Sequence, residues 1–591
     1  MTGAADPKVR VLGLVGATHD SGIAILNDGI PDVVLEEERF NRQKRTQAFP
    51  QHALRAVFGK DGAGLAEVDV ITTPWDVAEL RRSYLKALFG NLPGSLSLLA
   101  ERSHSPQRNE IVLLNQYLRR KLARNFPDVR TPRIVNVGHH DAHAAAFFVS
   151  PFEQATVLVM DGFGDDAATS VYTGAGNRLE RRWWTSIFNS VGMVYTFVTA
   201  YLGFRGLCDE GKVMALAAFG ERGYVDRFRE CIRLLPGGLY AVNREYFSYD
   251  VYGELRPLRP KFFEIFGPPR KPGEEINDRH RAIARALQQV TEETIVHIVR
   301  EITRTTEHLN LILAGGVALN CVANARILEM TEARSIWVPP AASDTGVPLG
   351  STLWHHHQTL GAERKFELKH AFWGLEYSDE EVLRALKAAR VTYEHVDDSE
   401  LFARVARDLA AAKTVGWFQG RFEMGPRALG NRSILADPRR AKIRDVINAK
   451  IKHREPFRPF APAILLERAS EYFYIDQPDP FMTIAPSARP EKAHLIPAAV
   501  HADGTGRLQT VDRDSNPRFY GIIKAFENLT GVPVLLNTSF NRQERIVASP
   551  EHAISCFLRT EMDVLVLGNY YVADRNGVAK KRDEVAFADA V

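Results

Sequence analysis

Two of the three histidines in one short segment, GHHDAHAAA at positions 138 to 146, carry the sharpest chemical signal in the chain. His139 and His143 are four residues apart in an alanine-rich stretch that predicts a helix, so both imidazoles leave one face and can bind one metal ion. Asp161 and Asp344 follow predicted strands, at the edge where α/β folds place their sites. This mixture of nitrogen and oxygen ligands predicts a site for Fe(II), Mn²⁺ or Zn²⁺.

Each of these signals also has a purely structural alternative. An arbitrary His-x-x-x-His pair is more often buried or capping, and an aspartate after a strand is an ordinary turn or cap residue. His19, in the loop between two short apolar strands, is a candidate general base oriented by Asp20, or both are turn residues. Gly315 and Gly316 leave room for a phosphate at a helix start, although such a pair is as often a packing requirement.

A second group of candidate residues is cationic and lies in the second half of the chain. Glycines and prolines between these cations indicate fixed turns, and cationic groups on fixed turns suit a ligand dense in anionic oxygens. The segment NTSFN, which follows the predicted strand VPVLL, offers amide and hydroxyl donors or is a simple turn. The cations are Arg421, Arg427, Arg432, Lys452, Arg454 and Arg458.

Alternating strands and helices must position these residues. RIVNV, LILA and SIWV each precede a predicted helix, and TVLVM precedes the segment TSVYTG, which is the pattern of an α/β sheet. Two N-terminal strands precede a charged segment that begins at Leu35, and residues 78–126 predict a helical insertion. A polar linker predicts domains at 1–362 and 363–591, with MDVLVLGNYYVA as one strand of the second α/β domain.

The composition excludes several classes of protein. The 591 residues, 45% hydrophobic and 25% charged, exclude disordered, collagen-like and coiled-coil chains. A net charge of +3 gives no general attraction to nucleic acid or anionic lipid. The four cysteines are scattered, which argues against a disulfide scaffold. No apolar run reaches about 18 residues. We therefore expect a cytoplasmic protein with no membrane and no nucleic-acid partner.

Long motifs in a fixed order place the chain beside a known family. GATHDSGIAIL, EEERF, HHDAHAA, MDGFGD, DEGKVMALA, LAGGVALN and PPAASDTG resemble the N-terminal domain of the NodU/CmcH/TobZ family of O-carbamoyltransferases. GRFEMGPRALGNRSILADPR, IKHREPFRPFAP, RLQTV and PVLLNTSFN resemble its YrdC-like domain. The resemblance spans about residues 10–575. It implies an α/β fold with a duplicated, actin- and hexokinase-like (ASKHA) N-terminal domain with helical insertions, followed by a YrdC-like α/β domain.

The resemblance implies a two-step, ATP-dependent O-carbamoyl transfer. Carbamoyl phosphate and ATP would form carbamoyl-adenylate in the second domain, with Arg432 and Lys452 as catalytic residues. In the first domain His19 would act as base on a small-molecule hydroxyl. His139, His143, Asp161 and Asp344 would hold a divalent metal, with Fe(II) favoured over Mn²⁺, Zn²⁺ or Mg²⁺. The residues for nucleotide would be Gly162, Gly164, Glu210, Lys212, Gly315, Gly316 and Asn320. The residues for carbamoyl phosphate would be Arg421, Arg427, Arg432, Ser433, Arg454, Arg458, Asn537 and Ser539.

Other functions fit parts of the sequence. An ASKHA-type kinase would use the first half and leave the arginine-rich second half without a role. A tRNA-modifying or RNA-binding protein is disfavoured by the near-neutral charge. Glu210 and Lys212 would serve as a structural ion pair if they do not bind nucleotide. The identity of the acceptor cannot be read from the residues, and a homodimer is only the base-rate expectation.

Overall fold

The computed structural model describes residues 9–96, 111, 113–252, 256–271, 273–306 and 308–575. The chain forms two compact units, Met1–Leu368 and Lys369–Val591. The division falls after residue 368, whereas the polar linker predicted it after residue 362. Within the described ranges, no helix is both long enough and apolar enough to cross a membrane.

The first sheet of the N-terminal unit has the strand order β3-β2-β1-β4-β5. Strands β1, β2 and β3 form an antiparallel meander, while β4 and β5 continue the sheet parallel to β1. The third strand was not predicted, because the charged segment begins inside it. The buried Glu36 at its end forms an ion pair with the buried Arg39 at 3.1 Å. The strands are β1 (Arg10–Val15), β2 (Gly22–Asn27), β3 (Ile30–Glu36), β4 (Val70–Thr73) and β5 (Arg133–Asn136).

The second sheet repeats this arrangement. Its order is β12-β11-β6-β7-β8, with an antiparallel meander of β6, β7 and β8 and with β11 and β12 parallel to β6. Strands β9 and β10 form a separate antiparallel pair. The repeat confirms the predicted duplicated α/β architecture of this unit. The strands are β6 (Gln154–Met160), β7 (Ala167–Ala175), β8 (Arg178–Ser186), β9 (Ile232–Leu234), β10 (Tyr240–Val242), β11 (Asn310–Ala314) and β12 (Ser335–Trp337).

Helices cover these sheets, and four of those described start at a side chain that caps the first turn. The long helix Asp278–Thr305 begins at a capping box, in which the side chains of Asn277 and His280 each accept the other's backbone N–H at 3.2 Å. The helices of this unit are α1 (Glu38–Asn41), α2 (Gln51–Phe58), α3 (Val77–Gly90), α4 (Leu114–Asn125), α5 (His139–Ala144), α6 (Val191–Tyr201), α7 (Glu210–Ala217), α8 (Val225–Arg229), α9 (Tyr249–Tyr252), α10 (Pro260–Phe266), α11 (Asp278–Thr305), α12 (Cys321–Met330) and α13 (Val347–Leu353).

Helix α13 belongs in sequence to the second repeat but packs on the first sheet, against β1, β2 and α5. Two glycines allow this close approach. A Cβ on Gly350 would lie 1.9 Å from the carbonyl oxygen of Ala142 in α5, and a Cβ on Gly13 would lie 2.0 Å from that of Pro348. Neither backbone can yield to a side chain, so these contacts require glycine.

The C-terminal unit is built on one mixed sheet with the order β13-β20-β19-β14-β15-β18-β16-β17. MDVLVLGNYYVA forms two strands, because Gly568 turns the chain with φ of 58°. The strands are β13 (Thr392–His395), β14 (Val415–Phe418), β15 (Arg432–Ala436), β16 (Ala461–Leu465), β17 (Gln509–Val511), β18 (Val534–Ser539), β19 (Val564–Leu567) and β20 (Tyr570–Asp574). The helices are α14 (Asp379–Ala389), α15 (Asp398–Ala410), α16 (Ile443–Val446), α17 (Ala469–Tyr472), α18 (Pro490–Ala493), α19 (Pro517–Thr530) and α20 (Pro550–Arg559).

Candidate active site

Four buried side chains from the two repeats of the first unit meet at one point. His139 and His143 lie on α5, which follows the last strand of the first sheet. Asp161 directly follows β6 and Asp344 follows β12, so both carboxylates come from strand ends of the second sheet. One ligand atom of each residue lies within 4.8 Å of all the others. The structure therefore brings together the residues that the sequence predicted as metal ligands.

The spacing of these atoms fits a divalent metal ion. His139 Nε2 lies 3.3 Å from Asp161 Oδ2 and 3.6 Å from Asp344 Oδ1. His143 Nε2 lies 3.7 and 3.6 Å from the same two oxygens. Ligands about 2.1 Å from an ion are separated by about 3.0 to 3.4 Å at a tetrahedral or octahedral edge, which is a few tenths of an ångström less than three of these four distances. His143 Nε2 is buried and, among the described residues, has no hydrogen-bond partner. The residues thus fit a metal of the N/O-binding class.

Hydrogen bonds to the outer atoms of two ligands leave their inner atoms facing the centre. His139 Nδ1 lies 3.2 Å from the carbonyl oxygen of Pro74, and Asp161 Oδ1 accepts the backbone N–H of Gly316 at 2.8 Å. Gly316 belongs to the glycine pair predicted to approach a phosphate. In this structure its N–H holds a predicted metal ligand, and the preceding Gly315 adopts φ of 87°.

The protonation states of the predicted metal ligands depend on one another. Burial lowers the pKa of His139, but Asp344 and Asp161 outweigh this effect and raise it well above the ordinary value. The pKa of His143 is raised by the same carboxylates against the effect of burial. Burial raises the pKa of Asp161, but the neighbouring imidazoles of His139 and His143 outweigh this effect and hold it well below the usual range. The carboxylates are therefore ionised and draw positive charge onto the imidazoles.

His19 borders this centre. Its Nδ1 lies 3.1 Å from Asp20 Oδ2 and 3.5 Å from Asp344 Oδ2. Arg45 Nη2 contacts the same ring nitrogen at 2.8 Å. Asp20 and Arg45 both adopt left-handed backbone conformations, with φ of 60° and 51°. Burial raises the pKa of Asp20, but Arg45 and His19 outweigh it and lower the pKa. Arg45 was not predicted from the sequence, because nothing in QKR shows that its side chain reaches the hairpin after β1.

Several residues predicted for nucleotide make structural hydrogen bonds. Glu210 Oε1 accepts the Thr196 hydroxyl at 2.8 Å and the Leu207 N–H at 2.6 Å. Asn320 exchanges two 3.0 Å hydrogen bonds with Gln288 and caps α12.

The remaining nucleotide candidates lie near the metal-ligand loops or in local ion pairs. Lys212 lies 3.2 Å from Asp209. Gly162 and Gly164 lie in the loop after β6, where a Cβ on Gly164 would lie 2.8 Å from His140 Cδ2. The nucleotide role of these residues stays a prediction.

The cations of the second unit fall into two environments, and the first is centred on Lys452. Its buried ammonium group contacts the backbone carbonyl of Ser539 and donates to Asn541 Oδ1 at 2.6 Å. Burial lowers the pKa of Lys452 well below the ordinary value, and the cations Arg454 and Arg458 lower it further. Burial and the neighbouring Arg458 and Arg507 lower the pKa of Arg454 to about 9. This concentration of positive charge favours an anionic ligand.

In the second environment arginines bind backbone carbonyls. The buried Arg432 donates to Asn431 at 3.0 Å and Gly420 at 2.9 Å, and its guanidinium lies 3.6 Å from the centre of the Phe418 ring. Arg421 donates to the carbonyl of Gly374 at 2.7 Å. These two side chains therefore hold loops in place.

The other residues predicted for carbamoyl phosphate lie on or beside strands β15 and β18. Ser433 Oγ accepts the Gly430 N–H at 3.1 Å. Asn537 donates to Ala428 and Gln509, while its buried Oδ1 has no hydrogen-bond partner among the described residues. Ser433 is directly opposite Ser539 in the sheet. Arg427 is half-buried in the loop before β15.

Two family models match the chain. The model described as Carbamoyltransferase N-terminus matches residues 10–353, and the model described as Carbamoyltransferase C-terminus matches residues 406–574. The chain belongs to the carbamoyltransferase family. This finding confirms the predicted family and the predicted enzyme class, a carbamoyltransferase.

Relatives of this carbamoyltransferase align over most of their length. An uncharacterised protein of Synechocystis sp. is 39% identical, over 97% of this chain and 98% of that protein. Nodulation protein NolNO of Sinorhizobium fredii is 36% identical, over 94% of this chain and 79% of that protein. Among solved structures, HypF of T. kodakarensis is similar over 61% of this chain and 50% of that chain. Its identity of 12% and TM-score of 0.30 are too low to support an argument.

Proposed function

We propose that this carbamoyltransferase makes carbamoyl-adenylate from carbamoyl phosphate and ATP with its second unit, and transfers the carbamoyl group to a small-molecule hydroxyl with its first. The observation that carries the proposal is the convergence of His139, His143, Asp161 and Asp344 on one buried point. These residues would hold a divalent metal, and the metal when bound would supply Lewis-acid chemistry toward carbamoyl and phosphate oxygens.

The charge cluster around Lys452 supports the first half-reaction. Besides burial, Arg454 and Arg458 lower the pKa of Lys452, and Arg458 lowers the pKa of Arg454, so an anionic ligand among them would relieve this repulsion. Carbamoyl phosphate would lose its phosphate to water. An oxygen of the resulting carbamate would attack the α-phosphorus of ATP, and pyrophosphate would leave. Each carbamoyl-adenylate is thereby accompanied by one phosphate and one pyrophosphate.

The position of His19 supports the second half-reaction. Its ring borders the metal-ligand centre through Asp344, 3.5 Å away, and offers a base to an acceptor hydroxyl. The acceptor oxygen would bond to the carbamoyl carbon, the hydroxyl proton would pass to His19, and AMP would leave with the electrons of the broken C–O bond. The guanidinium of Arg45, in contact with His19, would balance the charge of the departing phosphate.

Separating the half-reactions tests this function. We expect Arg458→Ala to abolish pyrophosphate release from carbamoyl phosphate and ATP in the absence of acceptor. His143→Ala should keep pyrophosphate release and lose transfer. His19→Asn should also keep pyrophosphate release. It should slow single-turnover carbamoyl transfer by at least about 10²-fold, the lower end of the effect expected for losing a general base. The measurements are pyrophosphate release and mass spectrometry of products with a panel of hydroxylated metabolites.

Arg440→Ala is the matched control, because Arg440 is an exposed cation whose partners are Asp437 and the carbonyl of Ala410. It should keep both half-reactions. Equal loss of pyrophosphate release in Arg458→Ala and His143→Ala would contradict the division of labour. Unchanged carbamoyl transfer by His19→Asn would show that His19 is not the general base. The proposed formation of carbamoyl-adenylate would be unaffected by that result.

A further inference from the structure

Three consecutive residues between β4 and α3, Pro74 to Asp76, lie against the first predicted metal ligand. We call them the 74–76 strap. The carbonyl oxygen of Pro74 lies 3.2 Å from His139 Nδ1. The Trp75 ring stacks on the His139 ring, with centroids 4.2 Å apart and planes 22° from parallel. The strap thus contacts His139 at its outer nitrogen and across one face, and leaves Nε2 facing Asp161 and Asp344.

One buried carboxylate joins the strap to the helix that carries His139. Asp165 Oδ1 accepts the backbone N–H of Asp76 at 3.1 Å, and Asp165 Oδ2 accepts the backbone N–H of His139 at 2.5 Å. Helix α5 has no side-chain cap at its own N-cap residue, Gly138. Asp165 therefore supplies the missing acceptor from the loop after β6.

The strap is also fixed from its other side. Asn136, at the end of β5, donates its side-chain N–H to the Trp75 carbonyl at 2.8 Å. Asp76 is the N-cap of α3 and accepts the N–H groups of Ala78 and Glu79 with its own side chain. The position of the strap is thereby set by the two neighbouring strands, the helix that follows and Asp165.

We propose that Asp165 is a positioning residue, which acts through the 74–76 strap to fix the ring orientation and the tautomer of His139. With the Pro74 carbonyl accepting from Nδ1, the neutral His139 ring carries its lone pair on Nε2, the nitrogen that faces Asp161 and Asp344. This inference rests on the proposed metal centre. Partners of this kind are worth about 10- to 100-fold in metal affinity in other proteins.

The test is the Mn²⁺ affinity of the full-length protein, measured by chelator competition. We expect Asp165→Ala to weaken Mn²⁺ binding by up to about 100-fold and Asp165→Asn, which keeps one acceptor oxygen, by about 10-fold. Asp166→Asn is the matched control, because Asp166 pairs outward with Arg181 at 2.9 and 3.1 Å. The electron paramagnetic resonance spectrum of bound Mn²⁺ should change in the Asp165 variants and stay unaltered in Asp166→Asn.

A second pair of variants covers the case in which Asp165 variants do not fold, as judged by circular dichroism. Trp75→Leu removes the stacked ring and should weaken Mn²⁺ binding, while Trp75→Phe keeps a stacked ring and should restore most of it. If Asp165→Ala folds and keeps both the Mn²⁺ affinity and the Mn²⁺ spectrum of the wild-type protein, the inference is overturned. In that case, loss of Mn²⁺ from a His139→Ala/His143→Ala variant would show that the metal centre itself stands. Unaltered Mn²⁺ binding in that double variant would refute both the centre and the strap.

Discussion

In the first unit, protons would compete with the proposed metal ion for the imidazole nitrogens of His139 and His143. Burial by itself lowers the pKa of His139 and His143, but the ionised Asp161 and Asp344 raise both above the ordinary value of 6.5. At neutral pH the metal-free rings therefore hold protons that a bound metal must displace. As the pH rises through these raised pKa values, the competing protons are lost.

We accordingly expect the apparent Mn²⁺ affinity to rise with pH, by about tenfold per pH unit for each proton displaced. The rise should level off once the pH exceeds the raised pKa values of the two histidines. Competition titrations from about pH 6 to about pH 9 check this, because the raised pKa values of both rings lie above the ordinary imidazole value. An affinity that does not change across the interval would show that the rings are already neutral without metal.

At the residue scale, the sequence predicted groups whose geometry is local and missed groups whose contacts depend on how the loops fold back on the site. His139 and His143 follow from helical periodicity, and the two carboxylates follow from the placement of ligands at strand ends. Arg45 and Asp165 reach the centre through contacts that no spacing reveals. The arginines show the same limit, because the direction of a cationic side chain depends on packing. Arg432, predicted as a catalytic residue and for carbamoyl phosphate, donates to two backbone carbonyls, and both of its predicted roles stay predictions.

At the element scale, α13 links the Asp344 loop to the first sheet through contacts that exclude side chains. We expect Gly350→Ala to destabilise the protein by about 1 to 3 kcal/mol, because its methyl group would overlap the carbonyl of Ala142. It should also weaken Mn²⁺ binding, since α13 begins three residues after Asp344 and Ala142 precedes His143. Denaturant unfolding and chelator competition measure the two effects.

Gly211→Ala is the matched control for this substitution. Gly211 lies within α7, and a Cβ there would meet no atom within 4 Å. Alanine should therefore stabilise the helix by up to about 1 kcal/mol. Equal stability of the two variants would show that α13 and α5 adjust to the added methyl group at no cost.

Physical reasons explain why strand β3 and the turn between β19 and β20 were not predicted from the sequence. Strand β3 ends in charged residues, which are typical of exposed segments, but Glu36 and Arg39 neutralise each other while buried. Strands β19 and β20 form one apolar run in the sequence, and only Gly568 marks the turn between them. Periodicity detects an apolar face, whereas buried ion pairs and tight turns depend on tertiary contacts.

At the scale of the whole molecule, the C-terminal unit has its own sheet and its own buried core, which includes Trp417, Leu565 and Ile522. We expect residues 369–591, expressed alone, to release pyrophosphate from ATP and carbamoyl phosphate at a rate close to that of the full chain. The fragment should transfer no carbamoyl group. A folded fragment without pyrophosphate release would show that the first half-reaction needs residues of the N-terminal unit.

The four predicted ligands are divided equally between the two repeats: both imidazoles follow the first sheet and both carboxylates follow the second. An ion bound by all four would join the repeats as a reversible cross-link, in addition to its chemistry. Its removal would leave each sheet intact and loosen one repeat from the other. The activity of the transferase would then depend on the availability of metal in the cell, so scarcity of the ion would stop carbamoyl transfer without any dedicated regulatory site.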